Sequence, residues 1–252
     1  MGHGTGRLVD FVLHSFRHGL DHVSDADIAW AEVMTVVKSI SRSDIIEQQI
    51  LNLEKWEAGT RTGKNFYKPP VGAQDVLNNI IKDKFKRVGG WDSQVYVLKQ
   101  GKGRIPKGEK IPYWSMDFRK NKIGVEISFN NAGVLAQNLL RLSVMSESKY
   151  LEEFQMIKLG VLLVSQASLK TWGSMDSTVV TFEQVLGVLP HVNFSIPTPI
   201  IVLGVNNSSE GEIWKDTKLF GTKKKDLPIY KDLSAEERSK WSDWINTERS
   251  RL

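Results

Sequence analysis

Two short apolar runs constrain this chain more than anything else in it. Residues 159–164 read Leu-Gly-Val-Leu-Leu-Val, and residues 200–205 read Ile-Ile-Val-Leu-Gly-Val. Neither run alternates with polar residues, so neither suits a strand with one face in water. Both are short and rich in branched side chains, which favours strands over helices. Strands of this kind need a cover on each face, so the chain must also supply helices.

Several segments read as those helices. Ser24 is placed to cap one that runs through Asp25, Ala26 and Asp27, with Ile28, Val33, Val36, Val37 and Ile40 turned inward. A second spans 43–56, with Ile46, Ile50 and Leu53 as its stripe. After Pro69-Pro70 a third spans 73–88, with Val76, Ile80, Ile81 and Phe85 inward and Lys82, Lys84, Lys86 and Arg87 outward. Gly89-Gly90 ends it. Further helices are predicted over 134–143 and 179–189, and a last one opens near Ser234. His14, His18 and His22 recur at helical spacing and are read as one face of an N-terminal helix. Strands alternating with helices predict an α/β fold: a central mixed sheet flanked by helices.

Between residues 113 and 129 the pattern turns to strands. Met116-Asp117-Phe118 precedes a charged turn, Arg119-Lys120-Asn121-Lys122, and then Ile123-Gly124-Val125-Glu126-Ile127-Ser128-Phe129 follows. This is a hairpin, and Asp117 and Glu126 stand nine positions apart across it. A carboxylate in an apolar strand is costly unless a cation or hydrogen bonds meet it. Two carboxylates on adjacent strands can converge on a hard cation such as Mg²⁺. On spacing alone a second reading stands beside it. Asp117 would be a turn residue, and Glu126 would point outward from an edge strand.

Composition narrows the function classes. The chain has no cysteine, which removes disulfides, thiolate metal sites and cysteine nucleophiles. It has no Gly-x4-Gly-Lys-Ser/Thr loop, so no nucleotide cofactor is expected. No apolar run has the length of a membrane span and no signal peptide is evident, so a soluble cytoplasmic protein is expected. The net charge is +5, which suits an anionic partner, nucleic acid first.

From residue 68 to 207 the chain resembles type II restriction endonucleases of the BamHI and BglII kind, which share the PD-(D/E)xK nuclease fold. The resemblance rests on order and spacing. Phe66-Tyr67-Lys68-Pro69-Pro70-Val71-Gly72 and the helix behind it are similar to the segment before the catalytic hairpin of BglII relatives. The hairpin bearing Asp117 and Glu126 follows. Asn130-Asn131, the strand at 159–164, Asp176-Ser177-Thr178, Phe182-Glu183-Gln184 and the strand at 200–204 then come in the family's order.

The resemblance implies a prokaryotic, cytoplasmic homodimer that hydrolyses phosphodiester bonds of double-stranded DNA at a short palindrome, with Mg²⁺ as cofactor. It implies Asp117 and Glu126 as metal ligands, with the main-chain carbonyl of Ile127 completing the set. The third catalytic position is usually Lys, and in these relatives Glu or Gln; here it is Ser128. A serine has no charge at neutral pH, so its expected role is to position water.

Asn130 and Asn131 are candidate base readers just after the catalytic strand, or simply the turn into the next helix. Asp176, Ser177 and Thr178 are a second candidate recognition loop, or the cap of the helix at 179. Lys223, Lys224 and Lys225 are candidate phosphate contacts, or a solvated face. The expected organisation is one endonuclease domain: a helical part over 1–65, a catalytic core over 66–207 and a basic extension over 208–252. The alternative function is a non-catalytic DNA-binding protein on a decayed nuclease fold.

Overall fold

The computed structural model describes residues 9–24, 27–58, 72–97, 114–129, 131–147, 156–173, 175–193 and 195–207, with 236, 243, 246, 247 and 250. Six strands make one sheet: β1 (Val9–Phe16), β2 (Asp92–Tyr96), β3 (Ser115–Lys120), β4 (Ile123–Ile127), β5 (Leu159–Ser165) and β6 (Ile200–Asn207). Their order across the sheet is β1-β6-β5-β4-β3-β2. β4, β5 and β6 run parallel, and the outer pairs are antiparallel. The sheet is therefore mixed, as the strand and helix patterning predicts.

Alternation along β5 and β6 explains their unbroken apolar sequence. Leu159, Val161 and Leu163, with Ile201, Leu203 and Val205, enter one core; Leu162, Val164, Ile200 and Val202 enter the other. The first core is closed by α1 (Asp27–Lys38) and α3 (Ala73–Val88), together with Leu169 of α5 (Ala167–Trp172). The second is closed by α4 (Leu135–Glu147) and α6 (Phe182–Val188). α2 (Arg42–Glu57) packs on α3. Every residue of β5 is buried, which only a strand covered on both faces allows. Among the described residues no helix is long and apolar enough to cross a membrane.

Several expectations are corrected. The histidines do not lie on an N-terminal helix. His14 is in β1, His18 is left-handed at φ +58°, and His22 ends a short 3-10 turn, Gly19–His22. Eight residues of antiparallel pairing with β6 outweigh a weak helical spacing. Gly19 is required behind it, because a Cβ there would lie 2.7 Å from the Ile200 carbonyl oxygen. In α1 the buried stripe is Ala29, Val33, Val36, Val37 and, just beyond the helix, Ile40, a cleaner helical phase than one starting at Ile28. Ile28 is exposed.

The helix expected over 179–189 is shorter. Val179 and Val180 are buried but not helical, and Thr181 caps α6 through a reciprocal pair with Gln184. The charged turn at 119–122 narrows to Asn121-Lys122, since Arg119 and Lys120 belong to β3. Lys84 does not point freely outward: its ammonium meets Asp44 at 3.0 Å.

Candidate active site

The hairpin of β3 and β4 is tight at its turn and splayed at its open end. Register pairs run from Lys120↔Ile123 to Phe118↔Val125. At Asp117 a side chain takes over from the ladder: its Oδ2 accepts the Ile127 N–H at 3.0 Å. Within a strand, a residue's N–H and C=O point toward the same edge. The Ile127 carbonyl therefore faces the wedge that Asp117 occupies.

The other oxygen of Asp117 meets two donors. Gln94 of β2 donates its Nε2 at 3.2 Å, and the Lys82 ammonium of α3 lies 3.3 Å away. Gln94 holds a left-handed backbone, φ +52°, directly across from Asp117 in the β2–β3 register. Such a conformation is costly for a residue with a Cβ, and it falls where the β2–β3 ladder skips one pair between Ser93↔Phe118 and Val95↔Met116. Ser115 donates its hydroxyl to Gln94 Oε1 at 3.1 Å, which fixes the amide.

Glu126 is only 1% exposed, on a strand flanked by β3 and β5. The outward-pointing edge reading is thereby excluded. Arg141 of α4 grips it side-on, Nε to Oε1 at 2.7 Å and Nη2 to Oε2 at 2.8 Å. Asn138, one turn earlier on α4, accepts a further bond from Arg141 Nη2 at 2.6 Å. Burial pushes the Glu126 carboxyl up to about 7; the hydrogen bonds from Arg141 pull the other way, and the nearby charge of Asp117 adds to the rise. The Arg141 guanidinium is held still more firmly charged than usual, because Glu126 and Asp117 outweigh its own burial.

Ser128 follows on the same side of the chain as Glu126. Its side chain is fully buried, and its Oγ has no hydrogen-bond partner. A buried hydroxyl is rarely left so, and its orphan state fits a site that takes up a water or an ion. Among the described residues no cluster of three or more His, Cys, Asp or Glu forms a cage. The available donors are two carboxylates, one main-chain carbonyl and one hydroxyl. That set suits Mg²⁺, which keeps several waters and takes few protein oxygens.

The two expected recognition segments come together. Asn131 bridges Val179, and the Ala132 N–H reaches the Thr178 carbonyl at 2.6 Å. Asn131 is exposed and caps a 3-10 turn by accepting the Gly133 N–H. Asp176, Ser177 and Thr178 are exposed as well. They do not cap α6: Asp176 Oδ1 accepts both the N–H and the hydroxyl of Thr178, while Lys170 clamps the Ser177 and Val179 carbonyls. Asn130, Lys223, Lys224 and Lys225 lie outside the described residues.

Lys82, Gln94, Asn138 and Arg141 were not reached from the sequence. Arg141 had one available signal. It is a lone cation between Leu140 and Leu142 on an apolar helix, and a buried carboxylate on the facing strand demands such a partner.

The profile of the family described as restriction endonuclease BglII/BglIII matches residues 11–205, more than three quarters of the chain. The chain belongs to the BglII/BglIII restriction endonuclease family. It is thus an enzyme, a site-specific deoxyribonuclease, and the resemblance drawn from the order of its motifs holds. No curated protein matches it. Two solved structures are similar to it. The crystal structure of restriction endonuclease BglII complexed with a DNA 16-mer shares 15% identity at a TM-score of 0.49, covering 77% of this chain and 75% of that one. Free BglII shares 15% identity at a TM-score of 0.42, covering 77% and 78%. Within a BglII-family nuclease, two carboxylates at the open end of a hairpin are the natural candidates for the phosphodiester chemistry.

Proposed function

We propose that this BglII-family enzyme hydrolyses both strands of double-stranded DNA at a short palindrome, using Mg²⁺ held by Asp117, Glu126 and the Ile127 carbonyl. The observation that carries the reading is the wedge itself: Asp117 fills the splayed end of the hairpin while Glu126 is enclosed beside it. Mg²⁺ in such a place lowers the pKa of water and offsets charge gathering on phosphate oxygens. The chain's own residues do the rest. Asp117 and Glu126 supply the anionic oxygens, and Gln94 and Arg141 keep those oxygens oriented. Ser128 Oγ positions the attacking water. That water's oxygen forms a new bond to phosphorus and its proton passes to bulk solvent, while one P–O ester bond breaks and the leaving oxygen takes a proton from solvent.

Asn130, Asn131, Asp176, Ser177 and Thr178 are proposed to read base edges, and their support is the contact between the two loops. Lys223, Lys224 and Lys225 are proposed phosphate contacts. A homodimer fits the reading, because a two-fold pair puts one site on each strand of a palindrome. Such an enzyme would act in the cytoplasm of a prokaryote.

The test is cleavage of supercoiled plasmid in Mg²⁺. Asp117→Ala and Glu126→Ala proteins should lose cleavage yet retain DNA binding in gel shifts. Full cutting by the Glu126→Ala protein would end the assignment. A wild-type protein that shifts DNA but leaves plasmid uncut would make this chain a DNA-binding protein on a nuclease fold.

A further inference from the structure

We propose that Lys82, on α3, is the substrate-facing cation of this site: its ammonium binds a non-bridging oxygen of the scissile phosphate. The inference rests on the metal-nuclease reading above and extends it to a residue from a different part of the fold.

Three observations carry it. The first is placement. Lys82 stands 3.3 Å from Asp117 Oδ1. Phe85, one turn on, is fully buried and stacks on Phe118, the residue after Asp117, with ring centroids 4.8 Å apart. So two consecutive residues of β3 are read by two residues of α3 that lie on one helix face. The Lys82 side chain is not a free surface lysine that happens to swing past.

The second is exposure. The site holds two cations, and they differ in what they can still do. Arg141 is 11% exposed, and its Nε and Nη2 are committed to Glu126. Lys82 is 38% exposed, and Asp117 is its one ion-pair partner among the described residues. An ammonium has three N–H donors, so donors remain for a ligand arriving from the open side.

The third is charge. Asp117 and Glu126 are balanced by Lys82 and Arg141, so the side chains alone sum to zero. A divalent cation would raise the sum to two positive charges. The reacting phosphodiester carries one negative charge, and a second develops as the attacking water gives up its proton. The full set closes to neutrality only with Lys82 present. The strand position two residues after Glu126 cannot provide that charge, because it is Ser128. Lys82 moves from Asp117 to the phosphate oxygen, and no bond to it forms or breaks.

The experiment compares the full chain with Lys82→Ala, Lys82→Met, Lys82→Arg and Asp117→Asn variants, and with Lys86→Ala as a control on the exposed face of the same helix. Two readouts are taken: the rate of plasmid cutting in Mg²⁺ under single turnover, and the affinity for Mn²⁺ alone by calorimetry without DNA. Losing one charged group aimed at the reacting phosphate should slow cutting on the order of 10²-fold in Lys82→Ala and Lys82→Met. Lys82→Arg should keep more activity than either, and Lys86→Ala should cut like the wild type. Mn²⁺ should bind Lys82→Ala at least as tightly as wild type, since a repelling charge beside a ligand is gone.

A brace for Asp117 would behave in the opposite way: removing it would weaken Mn²⁺ binding together with the rate. That joint loss, or cutting by Lys82→Ala within about threefold of wild type, would overturn the proposal. Comparing Lys82→Arg with Lys82→Met separates charge from packing if the alanine variant folds poorly. Asp117→Asn distinguishes the two levels. Wild-type cutting by Asp117→Asn would remove the metal-site reading, whereas an inactive Asp117→Asn beside a fully active Lys82→Ala would remove Lys82 alone.

Discussion

A carboxylate as enclosed as Glu126 persists only because Arg141 meets both of its oxygens. Breaking such a pair leaves one charge stranded, at a cost of about 3 kcal/mol or more. Arg141→Met should therefore lower the melting temperature. Added Mg²⁺ should recover more of the loss in this variant than in the wild type, because a cation that binds only the folded state stabilises it. Differential scanning calorimetry with and without Mg²⁺ checks this.

The same residue sets a pH signature. Burial raises the folded pKa of Glu126 from 4.5 to about 7, so between these values the folded state holds more protons than the unfolded chain. Its contribution to stability is thus fully present below pH 4.5 and lost as pH rises through 7. Glu126→Gln removes that slope, and the variant should gain on the wild type as urea denaturation is repeated from pH 4.5 to pH 7. A gain in the other direction would show that Arg141 dominates over burial.

Asp117 and Glu126 were legible in the sequence because a charge inside an apolar, hairpin-patterned stretch is locally improbable. Lys82 and Arg141 were not. Each is an ordinary helix cation until the packing of α3 and α4 on opposite faces of the sheet aims it at the hairpin.

At the scale of elements, sequence patterns served best where burial and local propensity agree. The bounds of α3 and the covered nature of β5 and β6 could be read directly. They failed where tertiary pairing decides. β1 is a strand because β6 receives it, and α6 starts late because Thr181, not Thr178, has the backbone and partner of a cap. Thr181→Ala should cost about 1 kcal/mol in denaturant titrations, whereas Thr178→Ala should cost much less.

The closeness of α6 to β6 makes a second prediction. A Cβ on Gly204 would meet the Phe182 ring at 2.6 Å. Gly204→Ala should destabilise by about 1–3 kcal/mol through overpacking, and Phe182→Leu should relieve part of it. A double-mutant cycle measures the coupling.

At the scale of the whole molecule, the sheet places its chemistry off-centre. The parallel strands β4, β5 and β6 form the buried middle, and the wedge opens where β4 meets the antiparallel flank of β3 and β2. Each helix covering β4 contributes one cation, Lys82 from α3 and Arg141 from α4. Two-fold pairing of such molecules on a palindromic duplex should appear in sedimentation velocity as two protomers per duplex. A single protomer per cut duplex would contradict the dimer.

The pairing of β1 with β6 has a consequence in time. Val9 stands opposite Asn207 and Phe16 opposite Ile200, so among the described strands the first in the chain waits for the last. The hairpin of β3 and β4 needs only its immediate neighbours in sequence, and local contacts form faster than distant ones. In pulse-labelled hydrogen exchange during refolding, amides of β3 and β4 should become protected before those of β1. A chain still on the ribosome would then hold its two carboxylates in register while its opening strand remained without a partner. The nuclease would close its sheet only as synthesis passes residue 207.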